Sequence, residues 1–184
     1  MTRGTGTRSA GTPASPARRV GARQPSRWHP AFAHFPLACW ILATLFDVAA
    51  LAGVPPLPAE WGLPELTAIS TLLLWLGLAA ALPAVGFGLV DYARLPAAAR
   101  DSPEMLYHVA CMGTAAAVFL IAAILRVAEN GLGPGWLAAL EAVGAVSIVA
   151  GGHFAGIVVF ERLPEAMAPI RGSAVGSERT SPGT

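Results

Sequence analysis

Apolar residues in this chain come in four long blocks from which charge is absent. Arg27 to Asp47 encloses 19 uncharged residues, Glu65 to Asp91 encloses 25, Glu104 to Arg126 encloses 21, and Glu141 to Glu161 encloses 19. A helix crosses a bilayer with about 20 predominantly apolar residues. Each block therefore predicts one spanning helix, at about 31–53, 65–90, 104–128 and 136–160. The breaks carry turn chemistry: Val54-Pro-Pro-Leu-Pro58, Leu95-Pro96 and Gly131-Leu-Gly-Pro-Gly135. Ser102-Pro103-Glu104 reads as a helix start, with Ser at the cap and Pro in the first turn. Short connections make neighbouring helices antiparallel. The expected fold is all-α, an up-down-up-down four-helix transmembrane bundle over residues 28–163.

Composition agrees with a membrane class: 54% of residues are hydrophobic and 12% charged, and the mean hydropathy is +0.57. The net charge of +1 hides an uneven distribution. Residues 1–27 hold six arginines, no acid and no apolar period, so they are expected to form a disordered tail against anionic headgroups, and residues 164–184 a second one. Eleven of the 12 arginines fall on one side of the bundle if the N-terminus is inside, and Arg126 alone falls outside. Both termini are therefore expected in the cytoplasm, in a bacterial inner membrane. Trp28, Trp61 and Trp136 lie at block ends, where aromatic anchors sit. Asp47 and two imidazoles argue against reading the first block as a cleaved signal. Cys39 and Cys111 fall within apolar blocks and imply no disulfide framework.

The candidate chemistry lies in ionisable residues at matching depth. His34, His108 and His153 all come about 6–10 Å inside the cytoplasmic ends of the first, third and fourth spans. Intramembrane ionisable residues point first to function, and neutral imidazole is the commonest metal ligand. A b-type haem held by His34 and either His108 or His153 is the sharpest reading. Gly152-x-x-x-Gly156 leaves a groove beside His153 for a macrocycle, although the same spacing packs membrane helices. Met105, His108, Cys111 and Met112 share one helix face and offer copper or zinc as the alternative. His29, beside Trp28, reads as interfacial. Pro36 and Pro83 fall inside spans, where they must kink the helix or free a carbonyl. Asp91 closes the second span at the histidine level, as an orienting partner for an imidazole or as a rim cap. At the opposite end, Asp47, Arg126 and Glu141 are expected to pair within the bundle, or to form one end of a proton path.

At these residues the chain resembles a bacterial family of small four-helix inner-membrane proteins catalogued as a domain of unknown function. The resemblance rests on His29-Pro-x-Phe-x-His34-Phe-Pro36, Gly88-Leu-Val-Asp91-Tyr92, His108, and Gly152-His-Phe-Ala-Gly156-x-x-Val-Phe160. It covers about residues 28–163. The chain departs from the family pattern at Met112, Leu163 and Ala155. Members joined to cytochrome c or Rieske-like modules imply a redox setting and partners of that kind.

No Gly-x-Ser-x-Gly, phosphate loop, His-Glu-x-x-His or Cys-x-x-Cys is present. Nucleic-acid binding has no support beyond arginines that anionic lipid explains better. Three function classes stay open: a haem-binding electron-transfer protein, a transporter or metal-handling protein, and a non-catalytic assembly subunit. Each has the lipid bilayer as its first partner and is compatible with a homo-oligomer.

Overall fold

A computed structural model describes residues 28–53, 63–128 and 133–168. The expected tail at 1–27, residues 169–184 of the one expected at 164–184, the Val54–Pro58 turn, Trp61, and residues 131 and 132 of the 131–135 turn lie outside the described residues. The described chain is helical, with no strand. Its elements are α1 (Trp28–Leu51), α2 (Leu63–Arg94), α3 (Ala97–Arg100), α4 (Pro103–Val127) and α5 (Pro134–Ile157), the last running on into a π-helical turn at Val158–Arg162. Helix then continues to residue 168, past the end expected at 160–163. Four of these helices are long and apolar enough to cross a membrane. The protein is a multi-pass membrane protein.

Local chemistry accounts for the ends. Ser102 caps α4, its hydroxyl accepting from Met105 N–H at 3.3 Å with Pro103 behind it. Gly53 closes α1 at φ 66°, a left-handed conformation that glycine adopts without penalty. Pro36 and Pro83 sit inside unbroken helices. α3 is unexpected: Pro96 starts one turn whose Ala99 is fully buried, and Ser102 Oγ donates to the Ala99 carbonyl at 2.9 Å. Outside the bundle, the hydrogen bond from Arg100 holds the Asp101 carboxyl below its ordinary range. Trp28 and Trp136 are exposed at helix ends, as interfacial anchors are.

The helices form a ring in which α1 packs on α2, α2 on α4, α4 on α5 and α5 on α1. Contacts between His29 and Ala84 and between Asp47 and Ser70 show that α1 and α2 run in opposite directions. Lipid gives two apolar helix faces no hydrophobic reason to meet, so close fit and polar contacts must hold them. The fit is concentrated in one layer. Trp40 of α1 stacks on Phe119 of α4 across the ring, with centroids 5.0 Å apart and planes 14° off parallel. Two glycines make room for this diagonal stack. A Cβ at Gly77 of α2 would stand 2.5 Å from Trp40 Nε1, and one at Gly144 of α5 would stand 2.7 Å from Phe119 Cε2. Ala43, Ala115, Ala122, Ala123, Leu74 and Ile148 fill the rest of this core.

Gly77→Ala and Gly144→Ala are each expected to destabilise the bundle by about 1–3 kcal/mol, the usual cost of overpacking a filled site. Gly86→Ala, where a Cβ meets nothing within 4 Å, should be neutral or better. Thermal unfolding of the three variants in one detergent checks the ranking.

Candidate functional site

Two polar layers lie at opposite ends of the bundle, and they differ in how their side chains are used. At one end, Arg126 of α4 donates from Nη2 to Asp47 Oδ2 of α1 and to Glu141 Oε1 of α5, the latter at 2.7 Å. Ser70 of α2 adds its hydroxyl 2.9 Å from Asp47 Oδ2 and 3.2 Å from the Ala43 carbonyl. One guanidinium and one hydroxyl thus join all four spanning helices. The side chains of Arg126, Asp47 and Glu141 are 6%, 11% and 0% exposed. Arg126 Nε and Glu141 Oε2 are buried with no hydrogen-bond partner among the described residues. A planar guanidinium suits this position because it can serve two carboxylates at once.

At the other end the histidines separate into two kinds. His29 Nδ1 lies 2.9 Å from the Ala84 carbonyl of α2, with its ring over Gly88, and His108 Nδ1 lies 2.9 Å from the Gly151 carbonyl of α5. A carbonyl only accepts, so Nδ1 carries the proton in both and each imidazole ties two helices. Gly88 has no side chain to displace the His29 ring, and Asp91 is buried one turn further along the same face. His34 makes its bond within α1, to the Pro30 carbonyl, and is exposed. His153 is exposed on α5 against the ring of Phe154. Wherever Nδ1 is so held, the Nε2 lone pair is left for another partner.

The four imidazoles are therefore not gathered inside the ring. Among the described residues no three His, Cys, Asp or Glu side chains lie where one metal ion could be held between them. The sulfur-bearing face of α4 closes on Gly151, where a Cβ would stand 2.9 Å from Met112 Sδ and 3.3 Å from Cys111 Cβ. Gly152 and Gly156 face open space. An apolar groove of about 500 Å³ runs along α5 beside them, lined by Ile41, Ala145, Val146, Val149, Ala150 and His153.

Residues 26–162 match the family described as "Predicted membrane protein (DUF2231)". The chain belongs to this family. No curated protein and no solved structure matches it. Membership agrees with four spanning helices and carries no activity with it.

Sequence reasoning passed over three contributors. Ser70 is about two turns into α2 and level with Asp47, a depth that counting along the helix reveals. His29 reads from the sequence as interfacial, yet its place in the first turn of α1, just before Pro30, puts it against Gly88. Arg162 donates to Glu104 Oε1 at 2.6 Å; the π-helical turn that carries Arg162 has no sequence signal of its own.

Removing the cation from the buried cluster leaves two carboxylates without a counter-charge. Arg126→Leu is expected to cost about 3–5 kcal/mol, as breaking a buried ion pair does. Arg162→Ala, which opens a partly exposed pair, should cost a small fraction of that. Chemical unfolding in mixed micelles, followed by helical circular dichroism, compares the two.

Proposed function

We propose that this family member is a haem-binding electron-transfer protein of the bacterial inner membrane, with the b-type haem on the outer face of α1 and α5. The observation that carries the reading is an exposed imidazole, His153, at the end of the apolar groove. Ala145, Val149, Gly152 and Gly156 recur at spacings of four, three and four, so one stripe of α5 continues the groove past His153. At Gly152 and Gly156 a flat ring meets no side chain. His34 lies seven residues from Ile41, on the same face of α1 and about 10 Å towards the histidine end. The groove volume falls within the roughly 300–1,000 Å³ of small-molecule sites. The interior of the ring does not fit a macrocycle, because Trp40, Phe119 and alanines fill it.

In this reading His153 and His34 would hold the haem through their ring nitrogens, and the Pro30 carbonyl keeps the His34 proton on Nδ1 so that Nε2 is left to bind. The apolar wall keeps water from one side of the site. Haem iron would supply one-electron chemistry, at a potential set by the residues that hold it and by burial. An open face towards lipid or a neighbouring subunit suits exchange of electrons with a cytochrome c or Rieske-type partner. The arginine-rich termini belong in the cytoplasm on this reading. Copper or zinc would draw instead on His108, Cys111 and Met112, which are engaged at Gly151.

A second reading, a non-catalytic assembly subunit, is favoured by the carbonyl ties of His29 and His108. The two readings part on a spectrum. Detergent-purified protein supplied with haem should give Soret and α bands that shift on reduction. His153→Ala should weaken haem binding by at least the roughly 10- to 100-fold that loss of a ligand's supporting partner costs elsewhere, and His34→Ala should alter the bands. His108→Ala should lower thermal stability and leave the bands unchanged. Absence of bound haem, or bands indifferent to His34 and His153, leaves the assembly reading.

A further inference from the structure

The charged layer does not balance. α1 contributes Asp47, α4 contributes Arg126, α5 contributes Glu141, and α2 contributes the neutral Ser70, with Glu65 in the first turn of that same helix. Two carboxylates against one guanidinium leave one negative charge in excess when all are ionised. The two carboxylates are also treated differently. Asp47 Oδ2 receives two donors, Arg126 Nη2 and the Ser70 hydroxyl. Glu141 is fully buried, receives one donor at Oε1, and among the described residues has no partner at Oε2. A bare carboxylate oxygen shut away from water is the costliest way to arrange these atoms, and a group so placed takes up a proton in preference to staying charged.

We propose that this cluster is a proton-binding site, in which one proton resides on Glu141 while Asp47 serves as the counter-ion of Arg126. The proton comes from water at that end of the bundle. It adds to the carboxylate at Oε2, brings the cluster to neutrality, and leaves Oε1 as the carbonyl oxygen that accepts from Nη2. A metal cation is the poorer occupant. Arg126 Nη2 already stands between the carboxylates, and hard cations ask for six or more oxygens. Because the cluster joins α1, α2, α4 and α5, its protonation sets the charge state of the bundle's lock. Loss of the proton returns the excess negative charge to a site that excludes water.

The test is infrared spectroscopy of the full chain in nanodiscs at about pH 6, where ordinary glutamates are ionised. The expected result is a carboxylic-acid C=O band equal to one carboxyl per chain, shifted in D2O and by ¹³C-glutamate labelling, and lost in Glu141→Gln. Glu104→Gln should leave it in place. The unfolding midpoint of the unmodified protein should fall as pH rises from the acidic range, where glutamates of the unfolded chain give up their protons, through the titration of Glu141, and that of Glu141→Gln should not follow. Should Glu141→Gln fail to fold, isotope labelling of the unmodified protein decides alone. No protonated band, a band that follows aspartate labelling, or stability that tracks sodium in place of pH would overturn the proposal.

Discussion

Arg126 has to be neutralised inside a slab where water cannot do it, and the way it is neutralised sets the arrangement of the helices. Its guanidinium reaches Asp47 on one neighbour and Glu141 on another, while Ser70 draws the fourth helix to the same carboxylate. Ions of opposite sign attract strongly at low dielectric, but each was stripped of hydration to get there, so the net gain is small and the penalty for losing one partner is large. The cluster acts less as a source of stability than as a condition on assembly: the helices have to bring Arg126, Asp47, Glu141 and Ser70 together. Trp40 and Phe119, seated on Gly77 and Gly144, meet that placement with shape one layer deeper.

The opposite end follows a different logic. Imidazole is cheaper to bury than a charge, and two of the four histidines use one nitrogen to tie a neighbouring backbone. Those ties fall at the two well-packed pairs, α1 with α2 and α4 with α5. The other two histidines look outward, on the pair of helices that meets along the groove. The result is a bundle with a rigid charged end and an end that still has nitrogen lone pairs to offer. Electron transfer at that end and proton binding at the other are separate proposals, resting on different residues.

Much of the fold was legible along the chain because the bilayer imposes a length and forbids charge. Four uncharged blocks, bounded by acids, arginines and prolines, leave little freedom in where helices begin, and Ser102 with Pro103 marks one start to the residue. Depth was legible too, since residues advance along a helix by a constant rise; that is why Asp47, Arg126 and Glu141 could be placed in one layer and the histidines in another. The α3 turn and the π-helical turn were not legible. Both arise where the chain adjusts to bring Ala99 and Arg162 against neighbouring elements, and Arg162 has the same local sequence whether or not Glu104 waits for it.

What the sequence alone determined, then, is height: which residues sit at which level of a membrane-spanning helix, and so the four spans and the two polar layers. What the tertiary structure decided is azimuth, the direction each side chain takes around its helix. His108 turns in to a carbonyl while His153 at a similar level turns out to a groove, and one guanidinium takes two carboxylates. The reason is physical. Rise per residue is fixed by the backbone, whereas the rotation of one helix against another is settled by the glycines, aromatics and ion pairs of all four together, and no single stretch contains that information.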